Sequence, residues 1–209
     1  MVLGSGNGGF ARAFESASEY WRIIRVDNNP RFISVPHTRT LDILDWIDWI
    51  DSIGPVELVC ASPDCRQYST ARAEKVTAPD LSVPHAIRDI IDYVKPRWWI
   101  IENVRGACQW FDDIYGKHAQ SVGPFFFWGL FPWMDVTSRY KGQSRHRINR
   151  NLVIEGVGGY WEFNGIKYNK WDTVQRAEIP LVISQALYDA IRGFIPLTEW
   201  TYGDIEDLR

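Results

Sequence analysis

At 209 residues the chain has material for one well-buried domain and little for a second. Its 45% hydrophobic and 23% charged residues are those of a soluble globular protein, and a net charge of −3 with a pI near 5.8 gives no global sign of a nucleic-acid binder, so any such role needs a local basic patch. Three cysteines, odd in number and unevenly spaced, argue against a disulfide framework and for a reducing cytoplasm, and with no bilayer-length apolar run and no signal peptide no membrane association is expected.

The chain opens on Met1-Val2-Leu3, a strand of three residues at most, followed by Gly4-Ser5-Gly6-Asn7-Gly8-Gly9-Phe10. Four glycines leading into a helical stretch permit a tight turn and close approach of a ligand, and they are equally the composition of a flexible tail. Trp21–Asp27 reads as a second strand ending in an acid, which suits ribose hydroxyls or, as readily, a turn before Asn28-Asn29-Pro30. Asp42–Trp46 leads into a short amphipathic helix around Trp46, Ile47, Trp49 and Ile50.

Val56–Cys60 is a buried strand bounded by Gly54-Pro55 and Pro63, and Ala61–Ser69 is the loop after it. A loop cysteine there, Cys65, is either a small filler or chemistry. Zinc binding by Cys60 and Cys65 has little support, because no second Cys/His pair stands at finger-like spacing. Ile87, Ile90, Ile91 and Val94 repeat at helical spacing and predict a helix from Pro84 that ends before Pro96. Trp98–Val104 predicts another buried strand, running into Glu102.

Strand and helix alternate over residues 1–104, which predicts a doubly wound, mostly parallel α/β sheet. The segment at about 108–175 differs in character. It is aromatic around Phe125–Trp133, carries five cationic side chains between Lys141 and Arg150, and looks like a hairpin or loop at Gly156–Trp171. The basic run is a phosphate-contacting patch or a solvated hairpin. A closing helix at about 181–194 packs back on the sheet.

Taken in order, the glycine turn, Ala61-Ser62-Pro63-Asp64-Cys65-Arg66-Gln67-Tyr68-Ser69, Glu102-Asn103-Val104 and Gln143-Ser144-Arg145-His146-Arg147 resemble the motifs of the cytosine-C5 DNA methyltransferase family, in particular its compact phage and prophage members. The resemblance spans nearly the whole chain. It implies a Rossmann-like class I S-adenosylmethionine-dependent methyltransferase fold, a single domain over 1–209 whose target-recognition segment is reduced to about 108–175. It also implies methyl transfer to C5 of a flipped-out cytosine through a covalent adduct at C6. By the resemblance the catalytic residues are Cys65, Glu102, Arg145 and Arg147. S-adenosylmethionine, released as S-adenosylhomocysteine, would lie against Ser5, Gly6, Gly8, Gly9, Phe10, Asp27, Asn28, Asp42, Ile43, Ser62, Pro63, Ser184 and Ala186. Double-stranded DNA would meet Arg66, Gln67, Ser69, Lys141, Gln143 and Arg150. No metal is implied. The expected setting is the cytoplasm of a bacterium or phage-infected host, with restriction-modification among the roles the resemblance implies, as a monomer or weak dimer with specificity short or supplied by a protein partner.

The chain departs from the family in two places. Val2-Leu3-Gly4 stands where an acid and an aromatic ring normally precede the glycines, removing two cofactor contacts. Asp64 replaces a proline beside the cysteine, and an adjacent anion disfavours a thiolate. Two other readings therefore stay open: a catalytically degenerate DNA-binding or regulatory protein, and a C5 pyrimidine methyltransferase acting on RNA or free nucleotide.

Overall fold

The apolar strands are buried on both faces, and their side chains divide alternately between two cores. In the computed structural model, which describes residues 1–17, 20–69, 78–136, 160–163, 166–169 and 179–194, the strands are β1 (Val2–Leu3), β2 (Arg25–Asp27), β3 (Thr38–Thr40), β4 (Leu58–Ala61), β5 (Trp98–Val104), β6 (Gln120–Val122) and β7 (Phe125–Leu130). They form one sheet in the order β3-β2-β1-β4-β5-β7-β6. The pairings among β1 to β5 are all parallel, whereas β7 runs antiparallel to both β5 and β6. This is the expected Rossmann-like, mostly parallel α/β fold.

Val2, Leu58, Cys60, Ile100 and Phe127 face one core, which is closed by Phe14 of α1 (Arg12–Glu15) and by Ile183, Leu187 and Ile191 of α5 (Leu181–Arg192). Leu3, Val59, Ala61, Ile101 and Trp128 face the other. There they meet Trp49 of α2 (Trp46–Trp49), Ile87, Ile90 and Ile91 of α3 (Ser82–Val94), and Phe111 of α4 (Cys108–Tyr115). The helix expected from Pro84 begins earlier, at Ser82, because proline is tolerated in a first turn where its missing N–H has no partner to lose. It ends at Val94 on Lys95, which takes a left-handed conformation with φ 47° immediately before Pro96.

Residues 108–130 differ from their sequence-based grouping with the insertion. They supply α4 and the reversed hairpin β6–β7, which extend the main sheet beyond β5. Gly129 permits this close pairing: at φ +138° it sits opposite Ile100, and an added Cβ would fall 2.1 Å from the Trp99 carbonyl oxygen. The expected hairpin near 156–171 is present as β8 (Tyr160–Phe163) and β9 (Ile166–Asn169), paired antiparallel. Among the described residues no helix is long and apolar enough to cross a membrane.

Candidate active site

The strand order reverses between β1 and β4, and outside the carboxyl ends of the strands at such a switch point open α/β sheets form their ligand crevice. The glycine turn leaves β1 on one side, and the Cys65 loop leaves β4 on the other. They are held together by the Ser62 N–H donating to the Leu3 carbonyl at 3.1 Å. Gly4, at φ +61°, lets them touch: a Cβ there would lie 2.8 Å from the Ser62 carbonyl oxygen.

Cys65 begins a 3-10 turn (Cys65–Gln67) capped by Asp64, whose Oδ1 accepts from the Arg66 N–H at 2.9 Å. Asp64 Oδ2 also accepts from Arg66 Nε at 2.7 Å and is ion-paired to its Nη2. The loop is anchored from below by Tyr68, whose ring packs edge-on to Phe111 at 5.0 Å and whose hydroxyl donates to the Asp80 carbonyl. Gln67 Oε1 accepts from the Asp80 N–H at 2.7 Å, and the Ser69 N–H returns to the Cys65 carbonyl.

Glu102 and Asn103 come from the carboxyl end of β5, the strand next to β4. Asn103 is wholly buried, donates Nδ2 to the Pro63 carbonyl at 2.9 Å and accepts the Val104 N–H at Oδ1. It therefore locks the Cys65 loop to the strand that carries Glu102. Burial pushes the Glu102 carboxyl up to about 8, so it carries a proton at neutral pH. Burial first, then the negative fields of Glu102 and Asp64, push the Cys65 thiol up to about 11. The charge of an ionised Glu102 therefore reaches Cys65.

On the other side, the Gly6 N–H donates to Asp27 Oδ2 at 2.8 Å and the Asn29 N–H to its Oδ1 at 2.9 Å, so Asp27 shapes the glycine turn. Asn28 Nδ2 donates to Asp42 Oδ2 at 3.0 Å, and the Leu44 N–H to Oδ1 at 2.9 Å; these bonds hold the Asp42 carboxyl below its usual range. Ile43 is buried beneath them.

Ser5 Oγ is a buried hydroxyl near the crevice with no hydrogen-bond partner, whereas Ser62 Oγ reaches the Glu102 carboxyl and opposes part of the effect of its burial. An orphan such as Ser5 Oγ is expected where a polar ligand completes the set. An added Cβ on Gly6 would meet nothing within 4 Å, so the turn leaves room on that side. These features fit a nucleoside-type cofactor lying from Ser5 and Gly6 past Asp27 towards Asp42.

Other residues expected there have internal duties. Gly8 and Gly9 make room for the Arg25 guanidinium and for the Ile179 backbone, which a Cβ would approach to 2.6 Å in each case. Phe10 and Ala186 are 2% exposed and lie in the core. Ser184 Oγ donates to the Phe10 carbonyl at 2.6 Å and accepts from the Ala13 N–H at 3.0 Å. With almost no accessible surface, these three side chains are not brought to the crevice. Lys141, Gln143, Arg145, Arg147 and Arg150 lie outside the described residues.

Two anchors escape a sequence-only list. Asn103 is legible there only as a neighbour of Glu102, and Tyr68 only as an aromatic beside the cysteine; their roles depend on Pro63 and Phe111, which are remote in sequence.

No protein-family profile matches the chain, and no curated protein does. Solved structures similar to it include the S. pombe Dnmt2 methyltransferase, at 18% identity and a TM-score of 0.45 over 72% of this chain and 58% of that one. A putative DNA modification methyltransferase encoded within an E. coli prophage is 14% identical, with a TM-score of 0.42 over 62% of this chain and 45% of that one. A Spodoptera frugiperda DNMT2 variant is 16% identical, with a TM-score of 0.42 over 64% of this chain and 51% of that one. The chain thus spans less than two thirds of the length of each.

Proposed function

We propose that the protein is an S-adenosylmethionine-dependent methyltransferase of the cytosine-C5 DNA type, acting on a cytosine flipped out of duplex DNA. One observation carries the reading: Asn103 ties the Cys65 loop to the strand bearing Glu102, so a thiol and a protonated carboxyl share one crevice at the switch point of the sheet. A pyrimidine ring needs that pair. Attack of the Cys65 thiolate on C6 forms the S–C6 bond and moves the C5–C6 π electrons, with the Glu102 proton received at N3, so that C5 becomes nucleophilic. The Ser5–Gly6 turn, Asp27 and Asp42 would hold S-adenosylmethionine, which when bound would supply the electrophilic methyl group for C5. Loss of the C5 proton to solvent water then expels the Cys65 thiolate and restores the C5–C6 double bond, while N3 returns its proton to Glu102. Arg147, with Arg145 in support, is assigned to the base oxygen on the motif resemblance alone, as are the phosphate contacts of Lys141, Gln143 and Arg150.

Incubation with labelled donor should label duplex DNA with the intact protein and leave it unlabelled with Cys65→Ser. RNA and dCMP run in parallel test the two other pyrimidine substrates. Failure of the intact protein to label any of the three sinks the reading. A second reading, a catalytically silent DNA-binding relative, draws support from the Cys65 thiol being held up to about 11 and from Val2-Leu3-Gly4 in place of the acidic and aromatic contacts. Calorimetry separates them: saturable binding of S-adenosylmethionine argues for the enzyme, and none argues for the silent relative.

A further inference from the structure

We propose that Cys108, Asp112 and His118 form a three-ligand zinc site that clips α4 to the chain entering the β6–β7 hairpin. Cys108 Sγ, an Asp112 carboxylate oxygen and a ring nitrogen of His118 all lie within 4.8 Å of one another. Three elements create this convergence. Cys108 and Asp112 stand at i and i+4 of α4 and so share one face of the helix. The helix then stops at Gly116, whose φ of 82° turns the chain back and returns His118 to that face.

The ligands are held as well as gathered. Asp112 Oδ1 accepts from the indole N–H of Trp128 at 2.7 Å, which pins the carboxylate and leaves Oδ2 available. Supporting hydrogen bonds of this kind orient ligand carboxylates in metal sites. The His118 ring packs edge-on against Phe126 at 5.1 Å and Trp128 at 6.1 Å, which restricts its rotation. Trp128 is completely buried in the sheet, so the group that pins Asp112 and flanks His118 is itself fixed.

A thiolate, an imidazole and a carboxylate are a mixed soft and hard donor set that suits Zn2+ and disfavours Mg2+ or Ca2+. Tetrahedral ligands at zinc distances stand about 3.5 Å apart, so side-chain adjustments of about 1 Å close the set. His118 and the first turn of α4 are not deeply buried, which leaves a fourth position to water. The inference is independent of the cytosine chemistry, because none of the three residues belongs to the Cys65 crevice. Its spacing matches no zinc-finger pattern, which is why the sequence carried no metal signal.

The test is optical. Protein freed of metal with a chelator and titrated with Co2+ should bind one equivalent and show thiolate-to-cobalt charge-transfer absorption with the intense visible bands of tetrahedral cobalt. Added Zn2+ should bleach both. Cys108→Ser should abolish the charge-transfer band, while Cys65→Ser should keep it. His118→Ala, at an exposed position, and Asp112→Asn, which keeps an oxygen for Trp128, should each weaken zinc affinity at least about tenfold. Circular dichroism checks that the variants fold. The proposal is overturned if the intact protein shows no charge-transfer band, if the band survives Cys108→Ser, or if His118→Ala and Asp112→Asn both bind zinc like the parent.

Discussion

Asp64 brings a negative charge beside the cysteine and at the same time caps the turn on which that cysteine sits. Its pairing with Arg66 offsets the charge, but both groups are solvent-exposed, so the compensation is partial. Asp64→Asn keeps an oxygen for the Arg66 N–H and removes the anion. The Cys65 thiol should then ionise at lower pH, and its alkylation by iodoacetamide at pH 8 should speed up by about two- to tenfold. An unchanged rate would show that Asp64 does not set the thiol's reactivity. Glu102 makes a second residue-scale prediction. Its carboxyl ionises near 8 in the folded protein, well above its ordinary range, because burial penalises the charge. A raised carboxyl pKa favours the folded state at low pH, and that contribution is lost as pH climbs from about 4.5 to about 8, on the order of 5 kcal/mol at most. Glu102→Gln cannot ionise. In denaturant unfolding its stability relative to the parent should therefore grow between pH 5 and pH 8.5, and a constant difference would contradict the assignment. Cys65 and Glu102 were legible as residue types at strand ends. Their protonation states were not, since those follow from burial by segments distant in the chain.

At the scale of elements, α5 adds one buried hydroxyl to its apolar packing. Ser184 bridges the Phe10 carbonyl and the Ala13 N–H, joining the closing helix to the turn that leads into α1. Ser184→Ala would leave both buried backbone groups unpaired, at about 2–3 kcal/mol. The expected outcome is a clear drop in unfolding free energy with cofactor affinity per folded molecule unchanged. A selective loss of cofactor binding would instead place Ser184 in the cofactor site. Elements with strong periodicity were legible from the chain alone: α3 from its isoleucine spacing, β5 from Trp98–Val104, and α5 from 181 onward. The β6–β7 hairpin was not, because its aromatics and Gly129 read as an irregular insertion until β5 presents an edge with which to pair.

For the whole molecule, the crevice exists because the sheet is wound in opposite directions from β1 and β4, and the Cys65 loop and glycine turn sit on either side of that reversal. The order of the motifs along the chain sufficed for the α/β class and for the parallel strands β1, β2, β4 and β5, and it marked Cys65 and Glu102 as candidates; β3, a short polar edge strand, carried no such signal. Local pattern carries that much, since hydrophobic period and strand-end position are properties of short segments. Tertiary packing decided the rest. It placed Gly8, Gly9, Phe10, Ser184 and Ala186 in internal contacts, because the space beside them is filled by Arg25, Ile179 and α5. It made Asn103 the tie between the Cys65 loop and β5, left the Ser5 hydroxyl without a partner, and gathered Cys108, Asp112 and His118 at one end of α4. Each of these depends on which distant segment fills a given space, and no short stretch of the chain carries that information.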